Sequence, residues 1–195
     1  MPLTELSRLA DKYGSDKYFF YTEFYHSILN ERRSAVKKVL ELGIGYPELM
    51  LDSLSRVGRT DYTTGASLLM WEKFFPEAEI YALDNRREIL INRGRIHSFY
   101  CNQADARSYP LAQLGKDFDF IIEDGSHVKE HQQTAIEMLV PLLAPGGIYI
   151  AEDMGYMTRR ERAYFADNVS YPSELHEFHN PAFGNHIAAI LVIRA

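Results

Sequence analysis

Two hydrophobic runs of strand length end in acidic residues, and a histidine follows one of them. The stretch "FDFIIEDGSH" ends in Glu123, Asp124 and His127, and the stretch "GGIYIAEDM" ends in Glu152 and Asp153. Magnesium prefers oxygen ligands such as carboxylates, and an imidazole exchanges a proton near neutral pH. Side chains of these types can together bind a divalent cation and take a proton from a nearby hydroxyl. Whether they meet depends on the elements that carry them.

Six apolar runs alternate with segments of helical character, which is typical of a parallel sheet covered by helices on both faces. The strand runs are "VKKVLELGIG", "AEIYALD", "IHSFYCNQAD", "FDFIIEDGSH", "GGIYIAEDM" and "HIAAILVIRA". The helical segments are "GASLLMWEKFF", "HVKEHQQTAIEMLVPLL" and "RRERAYFADNV". We therefore predict a Rossmann-like, doubly wound α/β fold whose sheet is mostly parallel, with an antiparallel strand near the C-terminus.

Open parallel sheets bind ligands beyond the carboxyl ends of their strands, and the acidic residues should converge there. In "ELGIGY", Gly43 and Gly45 let the backbone approach a ligand closely. Asp84 ends the second strand, where a carboxylate can accept both hydrogen bonds from a ribose diol. The third glycine of the dinucleotide fingerprint is missing, which disfavours a nicotinamide dinucleotide and leaves S-adenosylmethionine as the favoured cofactor.

The length and composition indicate one domain. The chain has 195 residues, 46% of them hydrophobic, so we expect a single domain over residues 1–195. A net charge of -6 with scattered basic residues argues against a nucleic-acid partner. No apolar run suggests a membrane span or a signal peptide, and Cys101 cannot form an intramolecular disulfide because it is the only cysteine. We expect a cytoplasmic protein, with Cys101 as a small buried side chain.

Residues 46–64 interrupt the regular alternation. In a compact strand-turn-helix unit the helix should begin soon after Gly45, so this stretch is interpreted as an inserted loop. At its end, "DYTTGAS" offers side chains that could cap the following helix, whose Trp71 and Phe74 are expected in the core. We expect the loop to help shape a ligand pocket, with Tyr156, Met157 and the segment containing His176, His179 and Phe183, where the histidines are interpreted as loop residues.

Four motifs in order resemble the class I S-adenosylmethionine-dependent methyltransferases: "VLELGIG", "IYALD", "NQAD" and "LLAPGGIYIAED". The resemblance covers residues 39–195. It implies S-adenosylmethionine as cofactor, which we expect to contact a set drawn from these motifs and from the N-terminal segment: Lys17, Tyr21, Glu41, Gly43, Gly45, Ser67, Asp84, Gln103, Asp105 and Glu123.

A narrower resemblance rests on "YGSDK", "YTEFY", "GASLLMWEKFFPEAEIYALD", "IIEDGSH" and "IAED". These stretches resemble the metal-dependent sugar O-methyltransferases of macrolide biosynthesis, the mycinamicin 2''-O-methyltransferase type, which are related to the cephalosporin hydroxylase-like group. The resemblance implies that Asp124, Glu152 and Asp153 bind Mg²⁺ and that His127 is the base, with Asp124 also counted as catalytic. It also implies transfer of a methyl group to a hydroxyl of a sugar or polyol-like small molecule in natural-product or glycan biosynthesis, by a chain that could form a homo-oligomer. The chain is much shorter than the macrolide enzymes.

Structural interpretations of the DGSH stretch stand beside the catalytic one. Asp124 could form an ordinary Asx turn with the glycine and serine after it. His127 could be a helix N-terminal residue with a routine hydrogen bond, or could form a zinc-binding pair with His131 one helical turn away. We expect His131 to face solvent. Glu123 alternates with Asp124 along the strand and should point to the other face, in a structural or cofactor-side role.

The N-terminal motifs are equally open. Ser15 and Asp16 could cap a helix, and Tyr21 and Tyr25, one turn apart, could be core residues. By the resemblance, residues 1–38 form a helical cover over the cofactor site, where Lys17 or a tyrosine hydroxyl could meet the cofactor's methionine carboxylate. The backbone N–H groups of residues 65–67, at the start of a helix, could face the same carboxylate. Glu41, from "VLELGIG", could orient the methionine amino group or bond only to the backbone.

Three other functions remain open: a nicotinamide-dependent oxidoreductase, a non-catalytic module that binds an adenosyl ligand, and a metal-independent methyltransferase. The missing glycine and the lack of a recognisable Tyr-Lys pair disfavour the first. A module that only binds an adenosyl ligand would not require convergent acidic residues.

Overall fold

The structure is a computed structural model. It describes residues 3–55, 58–180 and 187–195, without the side chains of residues 52 and 53. In these ranges eight strands form one sheet in the order β3-β4-β2-β1-β5-β6-β8-β7. The strands are β1 Lys38–Leu42, β2 Glu79–Asp84, β3 Asn92–Arg93, β4 Ile96–Tyr100, β5 Phe118–Glu123, β6 Leu143–Ala151, β7 Ser173–His179 and β8 Ile187–Arg194. The pairs from β4 through β6 are parallel, whereas β3 and the C-terminal strands β8 and β7 pair antiparallel.

Seven α-helices connect the strands within the described ranges. They are α1 Glu5–Tyr13, α2 Thr22–Leu29, α3 Pro47–Ser55, α4 Ala66–Phe74, α5 Leu111–Leu114, α6 Lys129–Leu139 and α7 Arg159–Asn168. Short 3₁₀ segments lie between them, of which Asp16–Phe19 and Met154–Tyr156 flank the site. None of these helices is both long and apolar enough to cross a membrane.

The sheet is covered on both faces because its central strands are apolar on both sides. Along β5, Phe120 and Ile122 pack into one core with α1, α2 and α4, whereas Ile121 packs into the other with α5, α6 and α7. All three side chains are fully buried, as are Trp71 and Phe74 of α4. The expected doubly wound, mostly parallel sheet is confirmed, and so are these core positions.

The interpretation of residues 46–64 as a loop is wrong for its first half. Helix α3 begins at Pro47, two residues after Gly45, as a regular strand-turn-helix unit requires. Proline suits the first position of a helix because that residue's N–H has no partner within the helix.

Two other expectations about local structure are corrected. Helix α4 takes Gly65, in the left-handed region at φ 72°, as its N-cap and has no side-chain cap, so the polar residues before it do not serve that purpose. A Cβ at Gly65 would press against the side chain of Ile91. His176 and His179 lie in the antiparallel strand β7 and not in a loop. Phe183 lies outside the described residues.

Candidate active site

A cavity of about 310 Å³ opens beyond the carboxyl ends of the central strands. It is lined by several residues that the sequence singled out: Gly43, Gly45, Ser67, Asp84, Gln103, Asp124, His127 and Asp153. These residues come from β1, α4, β2, β5 and β6, or from the turns that follow the strands. The convergence follows from topology, because parallel neighbours end at the same edge of the sheet.

Asp124, His127 and Asp153 form a compact cluster on the cavity wall. One ligand atom from each lies within 4.8 Å of the others. His127 Nε2 is 3.6 Å from Asp153 Oδ2 and 4.0 Å from Asp124 Oδ1. The cluster is partly open to solvent, since the two carboxylate side chains are 21% and 28% exposed. Two carboxylates and an imidazole at this separation fit a divalent cation in their donor chemistry.

The backbone around this cluster is unusual. His127 and Asp153 have φ of 57° and 56°, in the left-handed region that residues other than glycine rarely adopt. The turn after Asp153 is held in place at Gly155, where any Cβ would overlap the carbonyl oxygen of Ile187 in β8. Such outliers persist only where the surrounding structure holds them, and they concentrate at functional sites.

Lys17 lies behind the cluster and does not line the cavity, and its contact with the cofactor stays a prediction. Its side chain is only 1% exposed, and its Nζ is 2.6 Å from Asp124 Oδ2, 2.7 Å from Glu152 Oε2 and 3.1 Å from Glu41 Oε1. These acids come from the ends of three neighbouring strands. Burial opposes the charge, but the carboxylates raise the pKa of Lys17 well above its ordinary value. Lys17 is therefore a buried cation shared by three acids.

Glu152 is fully buried and belongs to this inner layer. Its carboxylate accepts hydrogen bonds from Lys17 and from the Tyr25 hydroxyl, and it does not join the open cluster. Burial raises the pKa of Glu152 well above its ordinary value although Lys17 opposes the shift. Burial acts in the same direction on Asp124, but Lys17 and His127 outweigh it and hold that pKa below its ordinary value. The role of Glu152 as a metal ligand stays a prediction.

Two tyrosines of the N-terminal segment bond to the same acids. The Tyr21 hydroxyl donates to Asp153 Oδ1 at 2.5 Å, and the Tyr25 hydroxyl donates to Glu152. Both rings are buried in the core. The structure thus joins the two interpretations of these residues, because the rings pack in the core while the hydroxyls orient the site. Contact of Tyr21 with a cofactor stays a prediction.

On the opposite side of the cavity lie residues suited to a nucleoside. Asp84 Oδ2 accepts from the Ile44 N–H at 2.9 Å, and Oδ1 accepts from the Arg86 N–H at the same distance. Gly43, at φ 100°, has no room for a Cβ, which would overlap the backbone of Asp124. The first glycine turn is therefore packed against the turn that carries the acidic cluster.

Glu123 points to the other face of β5 from Asp124, as the alternation predicted. It accepts from Gln103 Nε2 at 2.6 Å, and burial raises its pKa to about 7. Gln103 Oε1 in turn accepts from the Ser126 N–H at 2.8 Å. Glu123 thus orients Gln103, which lines the cavity. Through its bond to Ser126, Gln103 connects the turn after β4 to the turn after β5.

Two expected cofactor contacts lie away from the cavity lining. Glu41 is fully buried, with its carboxylate near Lys17, and burial raises its pKa. Asp105 is exposed and accepts a hydrogen bond from the Arg107 N–H at 3.0 Å, which caps a short 3₁₀ segment. Local sequence placed both near strand ends but could not show which way the side chains turn.

Other lining residues were missed. His131, expected to face solvent, lines the cavity and its Nδ1 is 2.8 Å from Ser126 Oγ. It is not part of the described metal cluster, so the pairing of His127 with His131 as zinc ligands finds no support. Asp16 and Tyr62 also line the cavity. A signal for Asp16 existed in "YGSDK", where a helix cap was the one role considered for it.

The comparisons with known proteins agree with this geometry. The chain is 33% identical over 157 residues to mycinamicin VI 2''-O-methyltransferase of Micromonospora griseorubida, covering 77% of this chain and 36% of that protein. It is 34% identical over 154 residues to 8-demethyl-8-(2-methoxy-alpha-L-rhamnosyl)-tetracenomycin-C 3'-O-methyltransferase of Streptomyces olivaceus, covering 77% of this chain and 37% of that protein. No protein-family profile matches the chain.

A solved structure extends the likeness over nearly the whole chain. The MycE methyltransferase from the mycinamycin biosynthetic pathway, in complex with Mg, SAH and mycinamycin VI, superposes with a TM-score of 0.68 at 26% identity. The match covers 98% of this chain and 55% of that one. The fold is therefore that of the S-adenosylmethionine-dependent methyltransferases. Within that class the homologues are sugar O-methyltransferases, which confirms the predicted resemblance. The chain spans only 36% and 37% of the length of the two curated relatives.

Proposed function

We propose that this protein is a metal-assisted O-methyltransferase that transfers the methyl group of S-adenosylmethionine to a hydroxyl of a sugar-bearing small molecule. The observation that carries the proposal is the cluster of Asp124, His127 and Asp153, which lines the same cavity as the glycine turn and Asp84. A nucleoside site and a cation site on one cavity can place a methyl donor next to an acceptor hydroxyl. A cavity of about 310 Å³ is within the usual range for small-molecule sites.

The acidic residues and His127 would divide the work. Asp124 and Asp153 would hold the cation, and Glu152 could join them only by releasing Lys17. When bound, a divalent cation makes a neighbouring hydroxyl more acidic and fixes its position. His127 would accept the hydroxyl proton at Nε2, the ring nitrogen that faces the two carboxylates. Tyr21 orients Asp153 through its hydroxyl.

The cofactor would lie along the other wall. Asp84 lies at the end of β2, where an acid can accept hydrogen bonds from a ribose diol, and the Gly43 turn lets the backbone approach. Gln103 and Ser67 complete that wall. We predict that both are cofactor contacts, and that Tyr156 beside His127 belongs to the acceptor side, since its ring stacks on the imidazole with centroids 5.5 Å apart.

A sugar is the acceptor that the relatives favour. Their names give a mycinamicin 2'' position and rhamnosyl groups of tetracenomycin-C as sites of O-methylation. We therefore propose a deoxysugar carried by a natural product, in antibiotic biosynthesis. Vicinal hydroxyls could occupy two positions on a magnesium ion that keeps some of its waters.

Methyl transfer from labelled S-adenosylmethionine to an α-L-rhamnosyl polyketide tests the proposal. We expect product with Mg²⁺ and none after chelation with EDTA. Asp153→Asn should abolish transfer, while the matched variant Asp167→Asn, an exposed site on α7, should keep it. Full activity in EDTA, or in Asp153→Asn, would favour a metal-independent methyltransferase instead.

A further inference from the structure

We propose that Asp16 binds the α-ammonium group of the cofactor's methionyl part, an inference that rests on the proposed function. Asp16 and Lys17 are adjacent in a 3₁₀ segment, but their side chains lie in different surroundings. The Lys17 ammonium is buried against Glu41, Asp124 and Glu152, whereas Asp16 lines the cavity. The Lys17 cation therefore turns inward, and the neighbouring Asp16 carboxylate faces the cavity.

The Asp16 carboxylate has an unused capacity for a donor. Within the described ranges no side chain or backbone group donates a hydrogen bond to it, and no cation pairs with it. A carboxylate that faces a cavity and has no hydrogen-bond donor is available to bind a donor group of a ligand in that cavity. Most other acids of this site already have partners, as Asp84 and Asp153 show.

The charges around Asp16 favour a cationic ligand over a neutral one. Burial and the nearby Asp124 raise the pKa of Asp16 to about 7, although Lys17 opposes the shift. An ammonium bound to the Asp16 carboxylate would form a charge-assisted hydrogen bond in which both partners are ionised, whereas a sugar hydroxyl brings no charge.

The position of Asp16 selects the ammonium within the cofactor. Ser67, in the first turn of α4, lines the same cavity as Asp16. A helix N-terminus attracts the carboxylate of the methionyl group. The ammonium is attached to the same carbon as that carboxylate, so it would lie close to this wall, where Asp16 is available.

The test compares S-adenosylhomocysteine with its des-amino analogue, which lacks only the ammonium. Calorimetric titration at pH 8, where Asp16 is largely ionised, is performed with the wild type, Asp16→Asn and the matched exposed variant Asp167→Asn. We expect Asp16→Asn to weaken S-adenosylhomocysteine about 10-fold to 100-fold, as for loss of a hydrogen bond between charged groups. Its affinity for the des-amino analogue should stay within about twofold of the wild type, as should both affinities of Asp167→Asn.

Equal losses for both ligands, or no loss for either, would overturn the assignment while leaving the proposed function standing. If the wild type itself binds neither compound, both the assignment and the proposed function fail. Asp16→Ser gives the same comparison if Asp16→Asn does not fold, so the proposal remains testable.

Discussion

Replacing Lys17 by methionine should destabilise the fold strongly, and more so at high pH. The substitution removes an ammonium that lies within 3.1 Å of three buried or partly buried carboxylates and is itself 1% exposed. Removing one partner of a buried ion pair costs about 3–5 kcal/mol, because the other charge is left without compensation. Methionine keeps most of the side-chain volume, so a cavity contributes little.

The pH dependence of this destabilisation follows from the acids that contact Lys17. The pKa of Asp124 is held below its ordinary value, so its contribution to stability is present above the unfolded pKa and is lost on acidification. Without Lys17 the pKa of Asp124 should rise, and that of Glu152, which burial already raises, should rise further, so both carboxylates should take up protons in the folded state as the pH falls. The difference in unfolding free energy between wild type and variant should therefore be largest near pH 8 and smaller at pH 5.

Urea unfolding followed by circular dichroism, in EDTA at both pH values, measures this difference. Lys116→Met, at an exposed position, is the matched control and should change stability by less than about 0.5 kcal/mol. A loss below about 1 kcal/mol for Lys17→Met, or an equal loss at pH 5 and pH 8, would refute the reasoning that a buried ammonium holds these acids together.

Three further predictions concern single residues. Burial raises the pKa of Cys101 to about 11, so iodoacetamide at pH 8 should alkylate the native thiol about 100-fold more slowly than the urea-unfolded one, and faster as pH rises. Tyr25→Phe removes a hydroxyl from the buried Glu152 and should cost about 1–3 kcal/mol in urea unfolding; no loss would mean that this bond is dispensable. Gly43→Ala places a Cβ against the Asp124 backbone at a positive φ and should cost about 3 kcal/mol or more in the same assay, whereas wild-type stability would contradict the tight packing of the two turns.

Much of the fold could be predicted because the spacing of the apolar residues and the residue types both indicate strands. The run ending in Asp124 alternates between two apolar cores, and its length and β-branched residues indicated a buried strand. Helix α3 was missed because the first helix was sought after an insertion and not directly after Gly45. The strand that carries His176 and His179 was missed because its alternating polar pattern is weak at the sheet edge.

The site was predicted where it depends on strand order and missed where it depends on side-chain direction. Asp124 and Asp153 end neighbouring parallel strands, so their convergence follows from the α/β pattern. The opposite directions of Asp16 and Lys17 depend on how the N-terminal segment crosses three strand ends. No local pattern encodes that crossing, because the contacts join residues more than 100 positions apart.

Binding of Mn²⁺, measured by electron paramagnetic resonance with S-adenosylhomocysteine present, tests the central claim most directly. The account predicts about one bound Mn²⁺ per wild-type chain, and loss of that ion in Asp153→Asn while S-adenosylhomocysteine still binds. Asp167→Asn should bind the ion as the wild type does. Equal Mn²⁺ binding by Asp153→Asn, or none by the wild type, would contradict the claim that the acidic cluster is a metal site beside the cofactor.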